Sequence, residues 1–191
     1  MNPEKLTDQD RQTLLRLARQ SMEQAVKELP KIDLNLDDYS DPLQENGASF
    51  VTLTETGDLR GCVGALEAYQ PLVQDVCEHA VAAAMEDYRF RPVQPAEIPY
   101  LHIEISRLTH PEPLEYNSPE QLLRLIRPGI DGVIIRDGLR RATFLPQVWE
   151  KVPDSAEFFS HLCLKMGGPA NLWQCKPLQV FTYQVEEFQE E

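Results

Sequence analysis

The sequence predicts an α+β fold with mainly antiparallel or mixed sheets and packed helices. Three observations carry this expectation. Leu101-His102-Ile103-Glu104-Ile105-Ser106 alternates apolar and polar residues strictly, the period of a half-buried strand. Two strand–turn–strand patterns, over 49–63 and 132–145, read as hairpins. Strands and helices do not alternate as regular βαβ units, which argues against a doubly wound parallel sheet. A chain of 191 residues is long enough for one domain or two small subdomains with a sizeable core.

The elements follow in order. Thr7 is placed to cap a helix, with Asp10 three residues on in the capping-box position. Leu14, Leu15, Ala18, Met22, Ala25 and Val26 then recur at helical spacing, and the helix is expected to stop near Pro30. Residues 31–47 are polar, acidic and Pro-containing, and read as an irregular connection. Residues 49–54 read as a strand, Glu55-Thr56-Gly57-Asp58 as a turn, and 59–63 as the returning strand. Pro71 suits a helix start, and Leu72, Val73, Val76, Cys77, Ala80, Val81 and Ala84 form an apolar stripe. Residues 88–92 end that helix before the alternating strand. Ser118-Pro119-Glu120 opens a short helix through Ile126. Gly132 to Arg136 is a strand, Asp137-Gly138 a hairpin turn, and Leu139 to Leu145 its partner, limited by Pro146. A helix starting at Asp154 runs to Met166 and stops at Gly167-Gly168. The last strand is read as 179–185, followed by an acidic tail.

Composition narrows the function classes. No apolar run approaches the length needed to span a bilayer. Met1-Asn2-Pro3-Glu4-Lys5 shows no basic segment leading into an apolar stretch, so no secretory leader is expected. Four cysteines without close pairing fit a reducing cytoplasm. A formal net charge of −13 repels a phosphate backbone on average and argues against nucleic-acid or anionic-membrane binding. One basic stretch stands out: Arg124, Arg127, Arg136, Arg140 and Arg141 against Asp131 and Asp137. It reads either as a local anion patch or, more simply, as a solvated face with partly compensated charge.

The chemistry concentrates at Leu59-Arg60-Gly61-Cys62-Val63-Gly64. Side chains two apart on a strand share a face, so Arg60 and Cys62 are expected to project together. Gly61 and Gly64 leave the backbone open to close approach by a ligand or by another segment. A guanidinium beside a thiol favours the thiolate. Cys62 is therefore a candidate nucleophile, with Arg60, Gly61 and Gly64 as ligand-binding candidates; the plainer alternative is a small buried cysteine among packing glycines. Cys77 and Cys163 lie on apolar helix faces and read as core, whereas Cys175 has no sequence neighbour to act with. His161 points away from its helix's apolar arc, as a cleft residue or an exposed one. His102 and Glu104 share the polar face of their strand and fit acid–base or ligand roles, or a solvated face. No Cys-x-x-Cys or His-x₃₋₅-His pair supports a metal site, and no Walker loop, dinucleotide fingerprint or nucleophile elbow is present, so no metal or cofactor is expected.

The hexapeptide Leu59–Gly64 resembles the hallmark motif of the AMMECR-one domain family, whose prokaryotic branch is also called AmmeMemoRadiSam system protein A. The resemblance continues through Asp87-Tyr88-Arg89-Phe90-Arg91-Pro92, Ile103-Glu104-Ile105-Ser106, Gly132-Val133-Ile134-Ile135, Leu145-Pro146-Gln147-Val148 and His161-Leu162-Cys163-Leu164-Lys165, in the family's order. Asp131 stands where the family often has histidine, and Tyr88 and Arg91 stand where prolines are common. The resemblance implies a single domain over 1–191, with a larger and a smaller subdomain and a cleft between them. Arg60, Cys62 and Arg89 are then the natural cleft residues. It also implies a pathway shared with a Memo-like protein and a radical S-adenosylmethionine protein, without supplying a reaction. The leading expectation is a small anionic molecule bound at the Arg-Gly-Cys motif; the alternative is a non-catalytic adaptor docking those partners.

Overall fold

The computed structural model describes residues 6–191, so the expectation about the first five residues lies outside the described part. The chain divides into two compact units: one takes in the residues through Leu108 together with Glu186–Glu191, the other is Thr109–Val185.

The first unit opens with helix α1 (Asp8–Val26). Its capping box forms as expected: the Thr7 hydroxyl accepts from the Asp10 N–H at 3.2 Å, and the Asp10 carboxylate accepts from the Thr7 N–H at 2.9 Å. The connection that follows contains a 3₁₀ turn (Leu36–Asp38) and one short α-helix, α2 (Asp41–Gln44). Strands β1 (Asn46–Glu55) and β2 (Asp58–Gly64) form the expected hairpin. Thr56 and Gly57 take positive φ at the turn, which matches the right-handed twist of the flanking strands. After β3 (Gln70–Pro71), helix α3 (Leu72–Met85) packs on β1 and β2 and against α1. Strand β4 (Leu101–Leu108) then pairs antiparallel with β1. Leu14, Met22, Val51, Leu53, Val76, Ile103 and Ile105 fill the core between helices and sheet.

The second unit holds β5 (Glu112–Pro113), α4 (Pro119–Leu125), β6 (Gly132–Asp137), β7 (Arg140–Phe144), α5 (Ser155–Lys165), α6 (Leu172–Cys175) and β8 (Gln179–Tyr183). Its sheet runs β5-β8-β6-β7. The Trp149 and Phe158 rings stack in its core at 3.6 Å between centroids. Asp131, which departs from the family pattern, is buried and accepts from the Arg127 N–H at 2.9 Å and from its guanidinium at 2.6 Å. Its charge is thus answered locally. Asp137 likewise takes Arg140, and Arg136 lies over the Phe181 ring, so much of the basic stretch is compensated within its own unit.

The C-terminal reading needs correction. The strand expected over 179–185 ends at Tyr183, and the acidic tail is itself strand β9 (Val185–Gln189), which joins β4 in the first unit's sheet in the order β2-β1-β4-β9. Arginines explain the pairing. Glu186 meets Arg11 at 2.6 Å and Arg107 at 3.3 Å, and the carboxylate of Glu190 takes Arg19 Nε at 2.9 Å. The tail's charge is complemented from α1 and β4, which a count of local acids does not show. Among the described residues, no helix is long and apolar enough to cross a membrane.

Candidate functional site

Strand β2 is an edge strand, and an unpaired edge must be covered or blunted. Cys62 is where the covering occurs. Its N–H donates outward to Asp87 Oδ2 at 2.9 Å, and its carbonyl accepts from Arg89 Nη2 at 3.1 Å. With both backbone groups turned away from β1, Cys62 and its register partner Thr52 form the close, non-hydrogen-bonded type of pair. Their side chains accordingly meet, the Thr52 hydroxyl donating to Cys62 Sγ at 3.4 Å.

Asp87, just past the end of α3, organises this clasp. It is buried and accepts from the Arg89 N–H at 3.1 Å, from Arg89 Nε at 2.9 Å and from Arg89 Nη2 at 2.6 Å, in addition to Cys62. These donors, the Arg89 guanidinium foremost, hold its carboxyl well below the usual carboxylate range. Arg89 is half-exposed and leans over the Phe90 ring at 5.5 Å. Its Nη1 has no acceptor among the described residues.

Arg60 behaves differently from its expectation. The β1–β2 register shifts between Leu53 and Thr54, pairing Leu53 with Gly61 and Thr54 with Leu59, so Arg60 is the extra residue of a bulge. Strict alternation does not carry through a bulge, so spacing alone does not decide whether Arg60 and Cys62 share a face. The Arg60 side chain is buried and forked onto Glu97, with Nε at 2.9 Å and Nη2 at 3.3 Å. Arg60 in turn lowers the Glu97 carboxyl from its ordinary value. The Arg60 Nη1 atom is buried without a partner.

The glycines are opened by protein. A Cβ on Gly61 would lie 2.1 Å from the Ala83 carbonyl oxygen of α3, and one on Gly64 would lie 2.4 Å from both the Phe50 ring and the Ser49 carbonyl oxygen. Of the two approaches weighed for them, the one seen is by another segment. His161 sits on α5 in the other unit, about half-exposed, with Nε2 3.7 Å from Glu157 Oε1 of its own helix. Cys77 and Cys163 are buried, and burial pushes both thiols up. Cys175 is exposed.

Register adds residues that the sequence does not bring together. Gly61 and Leu53 face α3, so Cys62 and Thr52 lie on the opposite face of the sheet. Thr52 pairs with Glu104 on its other side, and Thr54 with His102. Cys62, Thr52 and Glu104 therefore form one row across three strands, all half-buried, with His102 in the next row. Asp87 is also outside the initial site reading. Its sequence signals are its place at the head of the family-like segment 87–92 and two residues before Arg89, the spacing of an Asx turn.

A family model described as AMMECR1 matches residues 15–188. A protein of Methanothermobacter thermautotrophicus is 37% identical over 187 residues, covering 97% of each chain. Protein MK0488 of Methanopyrus kandleri is 38% identical over 192 residues, covering 98% of this chain and 92% of its own. The crystal structure of the uncharacterized protein PH0010 from Pyrococcus horikoshii is similar with a TM-score of 0.75 at 35% identity, covering 94% of this chain and 90% of that one. The bulged Arg-Gly-Cys strand, its α+β frame and these matches lead to one assignment: the chain belongs to the AMMECR1 family.

Proposed function

We propose that this protein binds a small anionic molecule beside Cys62, and does so in the cytoplasm in a pathway shared with a Memo-type protein and a radical S-adenosylmethionine protein. The observation that carries the ligand reading is the way Cys62 is held. Its backbone is pinned on both sides by Asp87 and Arg89, and its half-buried sulfur accepts a hydroxyl hydrogen bond. A thiol fixed by its supporting shell is suited to contact or attack a bound molecule. Arg89, with Nη1 uncommitted, supports the anionic preference, while Arg60 serves the frame through Glu97. The partner proteins rest on the family resemblance. Untargeted metabolite capture on the purified protein tests the reading: wild type retains an anionic compound that Arg89→Ala and Cys62→Ser lose, whereas identical captures from all three proteins overturn it.

A second reading, docking without catalysis, draws on a specific surface. Tyr88 is 95% exposed within the clasp, and Leu59, Leu66 and Tyr69 are exposed along β2 and the loop after it. Exposed aromatic and aliphatic side chains suit a protein partner. Capture of the Memo-type protein by wild type and its loss in Tyr88→Ser, with no metabolite retained by either, would favour this reading.

A further inference from the structure

The row Cys62–Thr52–Glu104 has a second charged end that the anion reading does not use. Glu104 is half-buried, and among the described residues its carboxylate makes no hydrogen bond or ion pair. Its neighbours on this face of β1 and β4 are Thr52 directly opposite, Phe50 and Thr54 diagonally, and His102 and Ser106 two residues away on its own strand. None of them carries a permanent positive charge. Several arginines of the same unit are committed elsewhere: Arg11 and Arg107 to Glu186, Arg19 to Glu190, Arg60 to Glu97 and Arg89 to Asp87. At the far end of the row, at the edge of β2, Arg89 offers its free Nη1. Neighbouring strands lie about 4.8 Å apart, so Glu104 stands two spacings, roughly 10 Å, from the Cys62 strand.

We propose that the ligand is zwitterionic, its anionic group at Arg89 and an amine at Glu104, with its middle over Cys62 and Thr52. This rests on the reading of Cys62 as a small-molecule site and specifies that site's chemistry. An unpaired, partly desolvated carboxylate attracts a cation strongly, because the low local dielectric magnifies the attraction. Thr52 between the two ends supplies a hydroxyl able to donate or accept.

Thiol–disulfide exchange with probes of different charge reads the field at Cys62. In each reaction the Cys62 thiolate attacks one probe sulfur, the probe's S–S bond breaks, a mixed disulfide forms, and the other half leaves as a thiolate that takes up a proton. The probes are cystamine (cationic), dithiodiglycolate (anionic) and 2-hydroxyethyl disulfide (neutral). Rates at Cys62 are taken relative to those at exposed Cys175, which shares the protein's overall acidic field. Glu104→Gln is expected to slow cystamine roughly fivefold relative to the neutral probe, the size of effect given by one charge at such a distance. Arg89→Gln is expected to slow dithiodiglycolate. A cystamine-to-neutral rate ratio indifferent to Glu104→Gln overturns the zwitterion assignment, and the anion reading stands if the Arg89 effect persists. A Cys62 inert to all three probes overturns both. A urea midpoint like that of wild type shows that Glu104→Gln is folded.

Discussion

Replacing Gly61 with alanine is expected to destabilise the fold by about 3 kcal/mol, at the upper end of what overpacking costs. The added Cβ would stand 2.1 Å from the Ala83 carbonyl oxygen and 3.1 Å from its carbon. Both atoms are backbone, so no side chain can swing aside. Either α3 lifts from the sheet or β2 is pushed outward. The consequence reaches the site, because Asp87 follows α3 directly and must meet the Cys62 N–H from there. Urea unfolding checks the expectation through a lowered midpoint with an unchanged slope. A Gly61→Ala protein within about 0.5 kcal/mol of wild type would contradict the close approach.

Asp75→Ala is expected to cost a similar amount, about 3 kcal/mol, for a different reason. Asp75 is fully buried in the first turns of α3. Its Oδ2 accepts from the Ser49 hydroxyl at 2.6 Å and lies 3.1 Å from His79 Nδ1. Alanine removes the acceptor and strands two buried polar partners, which is dearer than losing the bonds alone. Asp75 Oδ1 is already buried without a partner, so the carboxylate sits in a demanding environment even in the wild type. Asp75→Asn, which keeps an oxygen for Ser49, is expected to fall between alanine and wild type. The same unfolding measurement decides; an Asp75→Ala midpoint equal to wild type would show that the cluster contributes nothing to stability.

These two residues share a side of α3. Asp75, His79 and Ala83 recur at four-residue spacing, and the row meets Ser49 of β1 and Gly61 of β2. The sequence shows the helix through its apolar stripe, yet the polar members of the opposing row are silent there. A buried aspartate is recognisable only once Ser49 and His79 are beside it. The hairpin, the capping box and the alternating β4 strand are legible because each rests on local periodicity or turn chemistry. The β2 bulge is not, since nothing in Leu59-Arg60-Gly61-Cys62 states where register will shift. That one extra residue separates Arg60 from the role its spacing suggests and sends it to Glu97, 37 residues away in sequence. Strand β9 is illegible for the same reason: the arginine partners of Glu186 and Glu190 lie far off in sequence, at Arg11, Arg19 and Arg107. Cys62 and Arg89, in contrast, were visible as motif residues before any pairing was known, and the clasp through Asp87 supplies the connection between them.

The central claim is that Cys62 is a held but presented thiol. Native-state alkylation with iodoacetamide tests it most directly, in a Cys175→Ser background that removes the exposed competitor. Cys77 and Cys163 are buried and should stay unlabelled until the protein unfolds. The account predicts a single label, mapped to Cys62 by peptide mass, and its disappearance when Cys62→Ser is added. A native protein that takes no label at Cys62, and takes it only in denaturant, would contradict the claim and return the motif to core packing.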